Sequence, residues 1–488
     1  MAEHKRMTGR WWFKLGVGAL VVVLLGVGTI LFLGWSADQR WQAYADMLRA
    51  AGEPLTLAEI EQRRPVVPDD RNGARILERI RDELAALKDE PIAYSVLVMG
   101  AVRDGGPPRA TSADFFRGIW SHTIPPSRDY LEAHRAIMAE LHRLDDYPAG
   151  RFEIVADTSA IDNLLPNLGP VRAAVQLLAL EAAVNAIDGD LESAIEDVAR
   201  QLRLGGYLNT EPMLISRLVQ MTTDALALDM LEGILRVGEV AEPELSRMQQ
   251  TLNERLSSSS LRWALWGERA YQVELYEQFA GDRQSLNTMM MISDKTPPMT
   301  AWGWTPEFVL RKIQLSAIQL MSRLIEAADD PTALLEAGKI LDRDVQSLSG
   351  VHVIVKVLMP SYARVAELHA RSVAEIQCAR VAMGAERFRL QVGRLPTSSG
   401  ELVPDFIAQW PIDPLDGQPL RFKQTDHGIL IYSVGIDQKD DGGSVTPADD
   451  EHRASDDGFR LLRMDQRRLV ILEDNESPTT SNGAEEDG

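Results

Sequence analysis

The feature that most constrains this chain is an uncharged stretch of nineteen residues, Leu15 to Leu33. As a helix rising about 1.5 Å per residue it spans roughly 28 Å, close to the hydrocarbon thickness of a bilayer. Lys5, Arg6, Arg10 and Lys14 precede the run, and Asp38 and Arg40 follow it. Basic residues stay on the cytoplasmic side. The sequence therefore predicts a basic cytoplasmic tail over 1–14, a transmembrane helix over 15–35, and an extracytoplasmic remainder. Trp11, Trp12 and Phe13 at one end and Trp35 at the other fit interfacial aromatic belts. Gly34-Trp35-Ser36 offers the small residues of a signal-peptide cleavage site, but the apolar run exceeds the roughly 7–15 residues of such signals. The expectation is a retained, single-pass signal anchor in the inner membrane. The span holds no charged residue, so it offers nothing for transport or proton relay.

Charge and cysteine usage exclude further classes. The chain has 51 Lys and Arg against 72 Asp and Glu, a net charge of −21. That argues against nucleic acid and against a broad anionic lipid surface as partners. The single cysteine, Cys378, rules out an internal disulfide framework and a cysteine-based zinc site.

From Trp41 to about Arg394 the apolar period is helical, and the expected fold is mainly α, with an extracytoplasmic helical bundle or hairpin array over 36–360. Ile76, Ile80, Leu84 and Leu87 form one stripe of an expected helix from Ala74 to Lys88. Val171 to Ile187 is apolar enough to be a buried helix. Asp188-Gly189-Asp190 breaks it, and Leu191, Ala194, Ile195, Val198 and Leu202 resume the period. Two helices so closely joined should lie antiparallel. Pro212 and Pro243 sit where first helical turns begin, for helices expected over Met213 to Leu235 and Glu244 to Leu256. The hairpin around Ala186 to Ala194 resembles those of tetratricopeptide proteins, although no fixed period repeats. Thr56 with Glu59 three residues later reads as a capping box. The anchor, capped helix and Pro-rich connector Arg64 to Asp70 resemble the layout of bacterial membrane-anchored envelope proteins.

Several residues in this stretch invite functional readings. His134 and His142 lie eight apart on a helical segment, whereas helical metal pairs sit four apart, so surface histidines are expected. Met289-Met290-Met291 with Met299 suggests thioether ligation, but no His or Cys accompanies it locally and packing is the better expectation. Trp263 and Trp266 share a helical face, for which core packing is expected. Glu268-Arg269 inside that helix suggests a partly buried charge cluster. The chain contains no Gly-x-Ser-x-Gly, His-Glu-x-x-His, P-loop or dinucleotide fingerprint.

Near Leu390 the pattern changes to turns and short strand-like runs: Leu420 to Lys423, Gly428 to Val434, Phe459 to Leu462 and Leu469 to Leu472. A helix from Tyr362 to Gln391 leads into them, so 361–473 is expected to be a small α+β module. Ala385 to Pro396 (AERFRLQVGRLP), Glu401-Leu402-Val403-Pro404, Pro411 to Leu420 (PIDPLDGQPL) and Tyr432 to Asp437 (YSVGID), followed by Asp440-Asp441-Gly442-Gly443, resemble the major pseudopilin of type II secretion systems. The resemblance covers about 375–460 and implies a calcium-binding loop. Carried over, the Val434 carbonyl and the carboxylates of Asp437, Asp456 and Asp457 would be its ligands, with Asp440 and Asp441 as rivals for the last two. Calcium takes six to eight oxygens in flexible loops. The loop holds eight acids from Asp437 to Asp457 against Lys439 and Arg453. Departures matter too. The anchor lacks the family's peptidase site and its glutamate, and the module lies far downstream of it, so the resemblance implies a borrowed module and not a pilus subunit. Residues 396–488 carry 20 acids and 8 bases, and the acidic tail 474–488 is expected to be disordered.

The function expected from these readings is a non-enzymatic membrane-anchored scaffold or secretion-related accessory, with envelope proteins as partners and a calcium-stabilised cap. The alternative is an envelope-polymer hydrolase using two carboxylates in a helical cleft. Neither oligomeric state nor partner identity follows from the sequence.

Overall fold

A computed structural model describes residues 2–87, 119–120, 123–154, 160–257, 260–281, 306–348, 353–445 and 456–472. The methionine-rich segment and the acids Asp449, Asp450 and Glu451 lie outside these residues. The longer helices are α1 (Ala2–Ala50), α2 (Ile124–Ala133), α3 (Arg135–His142), α4 (Ala160–Ile187), α5 (Leu191–Gly206), α6 (Leu214–Val237), α7 (Glu242–Leu256), α8 (Ser260–Gly281), α9 (Glu307–Ala327), α10 (Pro331–Ser347) and α11 (Val353–Val392). Strands β1 (Arg421–Thr425), β2 (Gly428–Ser433) and β3 (Asp457–Leu462) form an antiparallel sheet in that order. The chain is thus mainly helical with a small C-terminal sheet. Its contacts divide it into two compact units, neither continuous in sequence.

The first unit comprises 1–64, 265–327 and 337–363. In α1 the apolar part, Leu15 to Leu33, is exposed, and it is long and apolar enough to cross a membrane. The helix does not stop there. Trp41, Ala45 and Leu48 follow at three- and four-residue spacing, and they are buried with Leu55 and with Ile318 of α9. Asp38 of α1 lies 3.6 Å from Arg311 of α9. Beyond the Gly52 turn, the Thr56 hydroxyl accepts the Glu59 N–H at 3.1 Å, and the Glu59 carboxylate accepts the N–H of Leu55 at 2.6 Å. The expected cap is present, its return bond shifted by one residue. The Glu268-Arg269 pair is split between partners. Arg269 is fully buried and donates to Glu53 at 2.7 Å and to Ser322, while Glu268 accepts from Tyr362. Trp266 also donates to Glu53, at 2.7 Å.

The second unit comprises 65–264, 328–336 and 364–488. The hairpin of α4 and α5 forms as its sequence directs. Gly189 adopts φ +83°, a region that β-carbons disfavour, and the Asp190 carboxylate caps α5 by accepting the Ser193 N–H at 3.1 Å. A second helix apolar enough for a membrane, Asn167–Ile187 within α4, is mostly buried in this core. The stripe Ile76, Ile80, Leu84 and Leu87 is buried as expected, but its helix is interrupted at Ile80 into Ala74–Arg79 and Arg81–Ala86. Ile376, Ala379, Ala382, Met383 and Phe388 of α11 share one apolar cluster with Leu231 and Ile234 of α6 and with Ile429, Ile431, Phe459 and Leu461 of the sheet. The C-terminal sheet is therefore sealed by helices on one face. At its end, Glu386 of α11 is buried between Arg389 and Arg467.

Candidate functional sites

The acidic C-terminal loop is built around Asp413. This fully buried carboxylate accepts the Ser433 hydroxyl at 2.9 Å and the N–H groups of Val434 at 3.1 Å and Leu415 at 3.0 Å, and Arg421 donates to it at 3.2 Å. Burial pushes its carboxyl up, against the lowering effect of these donors. Asp413 thereby fixes the exit of β2, where the loop begins. In the sequence it stands inside the Pro411 to Leu420 motif, a charged residue between Ile412 and Pro414.

The sequence-predicted calcium ligands each have their own surroundings. Val434 is buried at the end of β2. Asp437 is exposed and accepts the Lys439 N–H at 3.1 Å. Asp456 is buried and accepts the N–H groups of Asp441 at 3.4 Å, Gly443 at 2.8 Å and Ser444 at 2.9 Å. Asp457 receives Arg371 of α11 at 2.6 Å, and burial pushes its carboxyl up despite that guanidinium. Asp456 precedes β3 and closes the loop, while Asp457, the first residue of β3, meets α11. Asp440 accepts the Tyr432 hydroxyl at 3.1 Å and the Gly442 N–H at 2.9 Å. Among the described residues these side chains make no group of three ligating atoms about one point.

Such a group does occur in the helical body. His142 Nε2, a Glu181 oxygen and an Asp197 oxygen all lie within 4.8 Å of one another. His142 ends α3, where Ile137, Met138 and Leu141 bury the opposite edge. Glu181 sits near the end of α4, and its Oε2 is 2.7 Å from His142 Nε2. Asp197 lies on α5 three residues after Ala194, hence on the buried face. It accepts Arg200 at 2.6 Å and the Asn185 amide at 2.9 Å. Burial, and then the neighbouring Glu181 charge, push the Asp197 carboxyl up, while Arg200 opposes them. Arg200 in turn grips Asp145 through Nε at 3.1 and 3.0 Å and through Nη2 at 2.6 Å. An open groove of about 330 Å³ reaches His142 and Glu181 between Arg128, Leu131, Met138 and Val184. His134, the histidine that the sequence pairs with His142, has its ring bonded to the Tyr130 carbonyl at 2.8 Å. The missed signal was Asp197, a carboxylate at helical spacing on an apolar face.

No family model, curated protein or solved structure matches the chain.

Proposed function

We propose that this is a membrane-tethered envelope protein. In this reading α1 crosses the inner membrane once, with Lys5, Arg6, Arg10 and Lys14 on the cytoplasmic side and the folded units outside. The observation that carries it is the exposure of the whole apolar run, whereas the other long apolar helix among the described residues is packed inside. Leaving such a surface in water is unfavourable by about 25 cal/mol per Å². The helical body serves as a protein-binding scaffold for envelope partners, and the C-terminal module is pseudopilin-like, closing the chain as a structural cap.

Topology tests the tether. Cys378 is buried, so an engineered cysteine is the reactive thiol. In spheroplasts, a membrane-impermeant maleimide should label Asp426→Cys and spare Lys5→Cys, and alkaline carbonate should leave the protein in the membrane. The reverse labelling, or release by carbonate, overturns the proposal.

Calcium belongs to this reading as a ligand of the 434–457 loop. Asp437 and Asp440 would supply exposed carboxylates and Val434 its carbonyl. Asp457, paired with Arg371, would take part only if that pair opened. Millimolar calcium should raise the melting temperature of the full chain in detergent, and Asp437→Ala should remove the increment. No increment in the native chain overturns the metal assignment and leaves the tether untouched.

A further inference from the structure

We propose that His142, Glu181 and Asp197 form a binding site for a divalent transition metal, zinc being the ion that best fits one imidazole and two carboxylates. The three side chains come from three different helices, and their ligating atoms already lie within 4.8 Å of one another. Zinc places nitrogen and carboxylate oxygen at about 2.0–2.2 Å, which in a tetrahedron separates neighbouring ligands by roughly 3.3 Å. The His142–Glu181 contact of 2.7 Å therefore has to open by only about half an ångström.

Charge supports the same assignment. With the ligating carboxylates ionised, as a bound metal requires, Glu181, Asp197, Asp145 and Glu196 face Arg200 and Arg203, which leaves two negative charges when the imidazole is neutral. One divalent ion balances them. Arg200 does not block the site, because Asp145 holds it through three hydrogen bonds. Each Asp197 oxygen accepts one hydrogen bond, Oδ1 from Arg200 and Oδ2 from Asn185. A carboxylate oxygen has two lone-pair directions, so capacity for a metal remains. Hydrogen-bonded carboxylates of this kind are how metal ligands are held in place. The groove beside His142 and Glu181 gives an ion its entry path and leaves a coordination position open on that side.

The test is titration of the chelator-stripped full chain in detergent with zinc chloride, followed by calorimetry, and with cobalt chloride, followed by visible absorption. The expected result is one equivalent bound with a rise in melting temperature. His142→Ala, at a half-exposed position that tolerates truncation, should weaken binding at least tenfold. Glu181→Gln, which keeps the side-chain shape, should do the same. His134→Ala should leave binding unchanged. Absence of a stoichiometric site, or binding that His142→Ala and Glu181→Gln leave intact, overturns the proposal.

Discussion

Glu386 and Asp197 are both buried carboxylates of the second unit, and the chain treats them in opposite ways. Glu386 lies between two guanidiniums. Arg389 reaches it at 3.0 and 2.9 Å and Arg467 at 2.7 and 2.6 Å. Burial alone would push its carboxyl up, but the hydrogen bonds of Arg467 and Arg389 prevail and hold it below the usual range. Asp197 has an arginine too, yet burial and Glu181 prevail and its carboxyl is pushed up. The difference teaches that burial does not decide a carboxylate's state here; the identity of its second neighbour does. A second guanidinium makes a fixed ion pair, whereas a second carboxylate leaves charge for a proton or a cation to neutralise.

The largest expected effect sharpens this contrast. Glu386→Ala leaves the buried Arg467 guanidinium without its carboxylate, while Arg389 keeps Glu239 at 2.8 Å, and should destabilise the protein by about 3–5 kcal/mol in denaturant unfolding. A loss below about 1 kcal/mol would break the contrast. The pH dependence has a definite sign. The folded state holds Glu386 below its unfolded value of about 4.3, so the stabilisation is fully present above that pH and is lost as pH falls through the folded value. Glu386→Gln should flatten this acid limb.

Asp456→Ala comes next. It frees the N–H groups of Gly443 and Ser444 and should cost about 1–3 kcal/mol in chelator. Asp197→Asn should change stability by no more than about 1 kcal/mol, because an amide replaces a carboxyl that its surroundings already disfavour as an anion. A loss as large as that of Glu386→Ala would show that Asp197 is a fixed ion pair after all. Smallest of all, Asp437→Ala in chelator should stay within about 0.5 kcal/mol, since its side chain is exposed.

Much of the fold was legible because it depends on local rules. The break at Asp188-Gly189-Asp190, the apolar face of α4 and the α-to-β change near Leu390 follow from glycine conformation and from apolar period. The interruption at Ile80 was not legible, because its stripe fits an unbroken helix equally well. The candidate site was hidden for a different reason. His142, Glu181 and Asp197 are separated by 39 and 16 residues, and only the packing of three helices brings them together. The acidic loop stands out in the sequence because its charges are close together. Adjacency there gave each aspartate its own partners: Asp456 accepts the N–H groups of Gly443 and Ser444, and Asp457 the Arg371 guanidinium.

The continuity of α1 fixes a distance. Trp35 is exposed, and the first strongly buried residue of that helix, Trp41, follows six residues later, or roughly 9 Å along the axis. No swivel separates the greasy segment from the part that packs on α9. In a bilayer, the first unit would therefore begin roughly 9 Å beyond Trp35, unable to reach outward on a flexible stalk. Anything engaging it from below would have to slip into a gap about as wide as a single helix.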